Sequence, residues 1–400
     1  MTDMTPELQG KRLLLGLTGG IAAYKSAELV RLLFKAGCDV RVVMTEAAGR
    51  FITPVTMQAL SGQKVFTDLW DAEVPDNMAH IELTRDRDAI VVAPATADFL
   101  AKLANGLADD LLSTACLARE CPLLVAPAMN RQMWDNAVTQ RNVKRVADDG
   151  VLVLGPASGD QACGEVGMGR MLEAAEIYAD VVAFFQPKML AGKKVMVTAG
   201  PTFEAIDAVR GVTNISSGKM GYAVAQAAAE AGADVTLISG PTALTAPRGV
   251  FRMDVVSASA MHDAVMARVR QADVFVAVAA VADYTLANPN AQKMKKSGES
   301  LKLELAPTRD ILADVAALPT PPFCVGFAAE SENLDAYAQE KRKKKKIPLL
   351  AANFAQRAFG ADINELTLFD DAGRHVLPVA RKIALARQLV AHISRMLPKT

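Results

Sequence analysis

The chain has little of what would staple it or anchor it. Its 400 residues include five cysteines and four histidines. Cys38, Cys116, Cys121, Cys163 and Cys324 are scattered and form no CxxC pair, which argues against a disulfide framework or a cysteine-ligated zinc. Net charge is also missing. Lys plus Arg total 44 and Asp plus Glu total 44, so no general cationic surface awaits a nucleic acid, and any basic site must be local. Long apolar runs are absent too: the longest, 274–282, falls well short of the roughly 20 residues needed to cross a bilayer. Residues 1–6 carry no signal-peptide pattern, and the sequence therefore predicts a cytoplasmic location without a membrane partner.

What is present is a grammar used twice. Gly10, Lys11 and Arg12 precede an apolar strand that ends at Gly16-Leu17-Thr18-Gly19-Gly20. About half a chain later Gly192, Lys193 and Lys194 precede Val195-Met196-Val197 and then Thr198-Ala199-Gly200-Pro201-Thr202. A short buried strand, a glycine turn and a following helix are how parallel α/β domains present backbone N–H groups to a phosphate. The chain is long enough for two such domains, and with 51% apolar residues each half can bury its own core.

Strand and helix signals alternate throughout. In the first half β-rich runs at 39–45, 89–93, 123–126 and 151–154 are separated by helical stretches such as Ala23–Lys35 and 99–118. In the second, runs at 195–197, 234–238, 274–278, 323–327 and 349–352 repeat the pattern, with a helix at 222–231. Alternation of this kind predicts two α/β domains, each a mainly parallel, Rossmann-like sheet covered on both faces. Pro187 and a polar shift within 184–192 place the boundary near residue 190, giving domains 1–190 and 191–400. The halves match no further in sequence, so they are not an internal repeat.

Several residues are candidates for chemistry. Pro127-Ala128-Met129-Asn130, followed by Met133 and Trp134, sits just after a buried strand, at the end where such folds bind ligands. The Asn130 amide can donate to or accept from a carboxylate, and it reads equally as a helix N-cap. Cys163 lies in a glycine-rich polar loop, suited to an exposed reactive thiol, whereas Cys38, Cys116 and Cys324 sit in apolar or helical surroundings that favour inertness. His80 is a candidate general base, since imidazole as a class works near neutral pH, although a lone histidine also serves structural roles. In the second half Asn214-Ile215-Ser216-Ser217-Gly218-Lys219-Met220-Gly221 precedes a helix and suits an anion, or simply caps that helix. Asp283 ends a strand, where an acid can meet a ribose or magnesium; Lys293, Lys295 and Lys296 follow. The run from Lys341 to Lys346 reads as a solvated face or, with Lys341 and Lys345 one turn apart, as a triphosphate contact.

The first-half motifs, Gly19-Gly20-Ile21, His80, Ala93-Pro94-Ala95-Thr96-Ala97-Asp98, the 127–134 segment and the Cys163 loop, resemble the flavin-dependent cysteine decarboxylase family. The second half resembles phosphopantothenate-cysteine ligase, and together they are similar to the bifunctional coenzyme A biosynthesis flavoproteins of bacteria. The resemblance implies that FMN oxidises the thiol of 4'-phosphopantothenoylcysteine so that its carboxylate can leave. It implies roles for His80 in oxidation and decarboxylation, for Asn130 and Met133 in holding substrate, and for Cys163 as final proton donor. FMN would meet Gly19, Gly20, Ile21 and Thr45, with Phe51, Ala95, Thr96 and Asp98 near the ring. For the second half it implies CTP, with Mg2+, activating 4'-phosphopantothenate as an acyl-cytidylate that cysteine then attacks. The CTP site would comprise Ala280, Asp283, Lys293, Pro307, Thr308, Arg309, Asp310, Ile311, Phe327, Lys341 and Lys345. Asn214 would bind the acyl intermediate and Lys293 would stabilise its formation. Relatives also imply trimeric decarboxylase units and dimeric ligase units, hence a dodecamer.

Ala208, Gly211, Ile215 and Phe354 depart from the expected pattern and leave the shape of the phosphopantothenate pocket open. Two rival classes fit less well. A nicotinamide dehydrogenase would show GxGxxG and an acid after the second strand, yet 16–20 is not that motif and 234–238 ends in Ser239-Gly240-Pro241; Glu46 keeps the idea barely open. A non-catalytic flavoprotein would be expected to lack Asn130 or Cys163, and both are present.

Overall fold

The computed structural model describes residues 6–70, 78–162, 164–295, 301–330, 333–354 and 362–398. The chain divides into two compact units between Phe185 and Gln186. The N-terminal unit contains β1 (Arg12–Leu17), β2 (Asp39–Met44), β3 (Val65–Phe66), β4 (Ala89–Ala95), β5 (Leu123–Pro127) and β6 (Leu152–Val153), then a hairpin of β7 (Ala157–Asp160) and β8 (Val166–Arg170). The six strands form one sheet in the order β3-β2-β1-β4-β5-β6, all parallel. That is the order of a doubly wound nucleotide-binding sheet, which reverses between β1 and β4.

The strand β1 shows why. Leu13, Leu15 and Leu17 pack into the cluster beneath Ala23–Lys35 and Ala174–Phe185, while Leu14 faces the opposite cluster with Ile90 and Val92. A strand apolar on both faces is stable only when helices cover both, and each fully buried leucine contributes about 2 kcal/mol. The expected single helix over 99–118 is two helices, Ala97–Asn105 and Leu111–Ala118. Gly106 ends the first in a left-handed conformation, and Asp110 opens the second with a reciprocal capping box to Ser113.

The C-terminal unit contains β9 (Lys194–Ala199), β10 (Phe203–Ala205), β11 (Gly211–Thr213), β12 (Asp234–Ser239), β13 (Val250–Asp254), β14 (Val274–Ala277), β15 (Tyr284–Leu286), β16 (Leu305–Pro307), β17 (Phe323–Glu330), β18 (Leu349–Phe354), β19 (Ile363–Asp370) and β20 (Gly373–Arg381). Its eight-stranded sheet runs β13-β12-β9-β14-β17-β18-β19-β20. The first six are parallel and wound like the N-terminal sheet; β19 and β20 add antiparallel to the edge. The helix Lys382–Met396 closes the unit, burying Leu385, Leu389 and Ile393. Among the described residues no helix is long and apolar enough to cross a membrane.

Candidate active sites

In the N-terminal unit a cavity of about 1130 Å3 opens at the C-terminal ends of the strands, where the winding reverses. It is lined by 18–22 after β1, 45–47 after β2, 96–99 after β4, 128–130 after β5 and 169–171 at the end of the hairpin. Hydrogen bonds lash these loops together. The Thr18 hydroxyl donates to the Pro94 carbonyl at 2.7 Å and accepts from the Thr96 N–H at 3.1 Å. Ser26 donates to the Ala93 carbonyl at 2.6 Å. Gly19 is held by close approach: a Cβ there would lie 2.4 Å from the Ala47 Cβ. The helix Ala23–Lys35 begins at Ala22 with no side-chain cap, whereas Thr96 caps Ala97–Asn105 at Phe99 N, 3.2 Å away. The uncapped helix therefore directs its unsatisfied N–H end and positive dipole toward the cavity.

Gly19, Gly20, Ile21, Thr45, Thr96, Asp98, Asn130 and Met133 all line this space. Ala95 is fully buried behind the wall, Phe51 is half-exposed outside it, and His80, on the helix Ala79–Thr84, is also outside. The buried Nδ1 of His80 has no hydrogen-bond partner among the described residues. Asn130 does act as a cap: its Oδ1 accepts from Met133 N at 3.0 Å, while its Nδ2 reaches Gln132 and, at 3.3 Å, Glu165. Glu165 belongs to the loop of Cys163, which itself lies outside the described residues, as does Lys296. Burial pushes the Cys38, Cys116 and Cys324 thiols up to about 12, so they stay protonated and inert.

Sequence reasoning missed the basic side chains lining this cavity. Lys25, only 6% exposed, is tied to Met171 O at 3.0 Å and Glu173 at 2.8 Å. Lys102 lies 2.7 Å from Asp109 and 2.9 Å from Asp110. Burial disfavours that ammonium, but the two carboxylates outweigh it and hold Lys102 above its ordinary range. Arg50 is paired with Glu46. With these cations matched, the remaining wall is chiefly Ile21, Ala22, Ala47, Phe99, Met129 and Met171, a surface for a flat heterocycle.

The C-terminal unit carries a cavity of about 530 Å3 at the equivalent reversal, between β9 and β14. Its lining is different: Lys219, Arg309, Lys341, Lys345 and Lys382 supply five cations against the carboxylates of Asp283 and Asp310. The helix Lys219–Glu230 starts at Gly218, at φ +74 with no side-chain cap, and a Cβ on Gly218 would sit 3.3 Å from Gly200 Cα. Left-handed backbone so close to a neighbour favours glycine and leaves the helix end open to an anion. Lys341 and Lys345, in the last two turns of Leu334–Lys345, both reach the lining. Lys345 bonds Asp310 at 2.8 Å; burial opposes ionisation of that carboxyl, yet the lysine and the Ala313 N–H hold it below the usual range.

Ala280, Asp283, Thr308, Arg309, Asp310, Ile311 and Phe327 line the cavity too. Pro307, Asn214 and Lys293 do not. Pro307 stands in β16. Asn214, itself exposed, braces the wall by donating to Ala280 O at 3.0 Å and Val281 O at 3.1 Å. Lys293 is exposed, on a loop pinned by buried Asp207, whose carboxylate accepts from Met294 N at 3.1 Å and from Arg210 Nε at 3.0 Å. The lining also includes Asn353, Asn364 and Lys382, which sequence reasoning missed. Lys382 is 8% exposed; burial, and then the like charge of Lys219, lower its pKa against the pull of Asp362. Of the atypical positions, Ile215 is exposed, Phe354 is half-buried against the core, and a Cβ on Gly211 would collide with the Phe203 ring at 2.3 Å.

Two doubly wound units, one with an apolar cavity and one with a cationic cavity at an uncapped helix, define a two-domain nucleotide-binding enzyme of the α/β class. The family described as Flavoprotein matches residues 2–186, and the DNA/pantothenate metabolism flavoprotein C-terminal domain matches 190–397. The Coenzyme A biosynthesis bifunctional protein CoaBC of Vibrio cholerae is 51% identical over 385 residues, 95% of this chain and 96% of its own. Its counterpart in Escherichia coli K12 is 48% identical over 394 residues, 96% of this chain and 97% of its own. A solved structure, the FMN-dependent cysteine decarboxylase SpaF, is 34% identical and covers 44% of this chain and 99% of its own, with a TM-score of 0.39. The chain belongs to the family of bifunctional coenzyme A biosynthesis proteins.

Proposed function

We propose that the N-terminal cavity holds FMN and performs the decarboxylation, and that the C-terminal cavity holds CTP and performs the ligation. The chain is both a phosphopantothenate-cysteine ligase and a phosphopantothenoylcysteine decarboxylase, acting in that order to make 4'-phosphopantetheine. The observation that carries the division of labour is the contrast in lining: internally matched charge around an apolar wall in one unit, five cations at an open helix end in the other.

Amide formation from a carboxylate and an amine is uphill in water, so the 4'-phosphopantothenate carboxylate attacks the α-phosphorus of CTP, pyrophosphate leaves, and the cysteine amine displaces CMP from the acyl-cytidylate. Lys341, Lys345 and Arg309 attract the triphosphate, and the first turn of Lys219–Glu230 offers it N–H groups. Asp283 faces the same space and suits the ribose or a Mg2+ accompanying the nucleotide. Lys293 and Asn214 frame the acyl end, the first from the Asp207-pinned loop, the second by holding Ala280 and Val281.

The donor set of the first cavity fits FMN, since an uncapped helix end suits a phosphate and the apolar wall suits the ring. When bound, FMN supplies a reversible two-electron acceptor for the substrate thiol, which lets the carboxylate leave without an unstabilised carbanion. Asn130, fixed at a helix start, presents its amide to the substrate carboxylate; Met133 borders it. Cys163 delivers the last proton. His80 and Phe51, outside the cavity of their own chain, suit a trimer in which a second copy completes the site, and dimeric ligase units would extend this to a dodecamer. The enzyme acts in the cytoplasm on small molecules alone. An absorption spectrum and a pyrophosphate-release assay test the reading together: the pure protein should be yellow and should consume CTP only with 4'-phosphopantothenate and cysteine present. Colourless protein that rejects FMN, or CTP left intact, overturns it.

A further inference from the structure

We propose that Asp370, His375 and His392 form a binding site for a zinc-class transition metal ion, at the end of the C-terminal unit opposite its nucleotide cavity. Among the described residues they are the single group of three or more His, Cys, Asp and Glu side chains with donor atoms drawn together, all within 4.8 Å of one another. The Nε2 of His375 lies 3.0 Å from Asp370 Oδ1, and the Nε2 of His392 lies 2.8 Å from Asp370 Oδ2. Both imidazoles therefore aim the same nitrogen at one carboxylate, their ring centroids 4.8 Å apart. Tetrahedral coordination at bond lengths of about 2.0 Å separates donor atoms by roughly 3.3 Å, so small side-chain rotations bring all three onto one ion.

The backbone holds this arrangement from three directions. Asp370 ends β19, and its Oδ1 accepts the N–H groups of Ala372 at 2.8 Å and Gly373 at 3.0 Å. His375 lies on β20, opposite Leu368, and His392 comes from the helix Lys382–Met396. Asp370 is 5% exposed and His392 12%, while His375, at 37%, leaves a route from solvent and a fourth position for water. Two imidazoles and a carboxylate suit Zn2+, Co2+ or Ni2+ rather than Mg2+ or Ca2+, which favour all-oxygen sets. The exposed Arg395 stands 3.5 Å from His392 Nδ1. A metallated imidazole prefers an acceptor at its other nitrogen, so Arg395 tunes this site downward. The group lies six residues along β19 from Asn364 in the nucleotide cavity, about 20 Å at strand rise, which separates it from the triphosphate chemistry. A bound ion would clamp the terminal hairpin to the helix that begins at Lys382.

Titration of the full-length, chelator-treated protein with Co2+, followed by visible absorption, tests this. One Co2+ per chain should give an intense four-coordinate ligand-field band that Zn2+ removes. His375→Ala, at the exposed member, should weaken Co2+ affinity at least about tenfold, and Arg395→Glu should tighten it by about the same factor. Both variants should retain wild-type ligase turnover, which reports an intact fold. Absence of the band, or a band and affinity unchanged in His375→Ala, overturns the proposal and leaves a hydrogen-bonded His-Asp-His clamp.

Discussion

The two cavities differ in what the same winding surrounds. Each lies where the strand order reverses, beside a helix that follows the first strand and starts without a side-chain cap. In the N-terminal unit the nearby cations are matched within the protein, Lys25 by Glu173 and Lys102 by two aspartates, and the space left over is apolar. In the C-terminal unit the cations outnumber the acids around the cavity itself. A doubly wound sheet thus fixes where a nucleotide binds, and the side chains of its loops decide whether a ring or a triphosphate dominates recognition.

The largest expected effect separates the two sites at their chemistry. Cys163→Ser should cut 4'-phosphopantetheine formation by about 10³ or more, with a decarboxylated, unsaturated thiol accumulating, while pyrophosphate release in the ligase assay stays within about twofold. Normal turnover by that variant removes Cys163 from the mechanism. Next, joint replacement of Lys341 and Lys345 by Ala should raise the KM for CTP about 100-fold and leave flavin content unchanged, because each charged contact contributes about 1.5–3 kcal/mol before screening. A matching loss of flavin would erase the contrast drawn above.

A smaller effect is expected from Asp207→Asn, which loosens the loop bearing Lys293 by weakening its contacts with Arg210 and Met294. Ligase kcat should drop about tenfold with decarboxylation intact; a parallel fall in both would point to misfolding. The smallest is a slope. Burial and Lys219 lower the pKa of Lys382, so in the alkaline window just below the ordinary lysine range the unfolded chain holds more protons than the folded one, and stability rises with pH. Lys382→Met should flatten that rise in urea midpoints measured across the window, leaving the part due to Lys188, shifted the same way by its burial. An unchanged slope refutes the assignment.

Much of this fold is legible in the sequence, and the reasons lie in particular residues. The core strands announce themselves because two-sided burial demands unbroken apolar runs, and Ala23–Lys35 because Leu29, Val30 and Leu33 recur at helical spacing. Helical spacing puts Lys341 and Lys345 on one face, which leaves a solvated face and a ligand contact both open; both lysines line the cavity. The break at Gly106 escaped notice because Leu111, Leu112 and Cys116 continue the apolar signal beyond it. β20 escapes a sequence reading because, as the edge strand, it buries only Ala380; β19 is paired on both sides and largely buried, but Asn364, Glu365 and Thr367 interrupt its apolar signal. Lys382 could not be placed, since nothing local says that the start of the last helix lies beside the start of the helix Lys219–Glu230. His80 and Phe51 were singled out by motif, and their own chain does not bring them into the cavity.

The antiparallel edge has a consequence for the order in which the molecule gains its abilities. Every described residue lining the first cavity is made by Met171, and the helix that covers its sheet ends at Phe185, so the decarboxylating half can mature on the ribosome early. The wall of the second includes Asn364 and Lys382, so its lining is complete only when translation is nearly finished. A prematurely stopped polypeptide would retain the later reaction of the pair without a complete pocket for the nucleotide-consuming one, and so would be spared idle turnover of CTP.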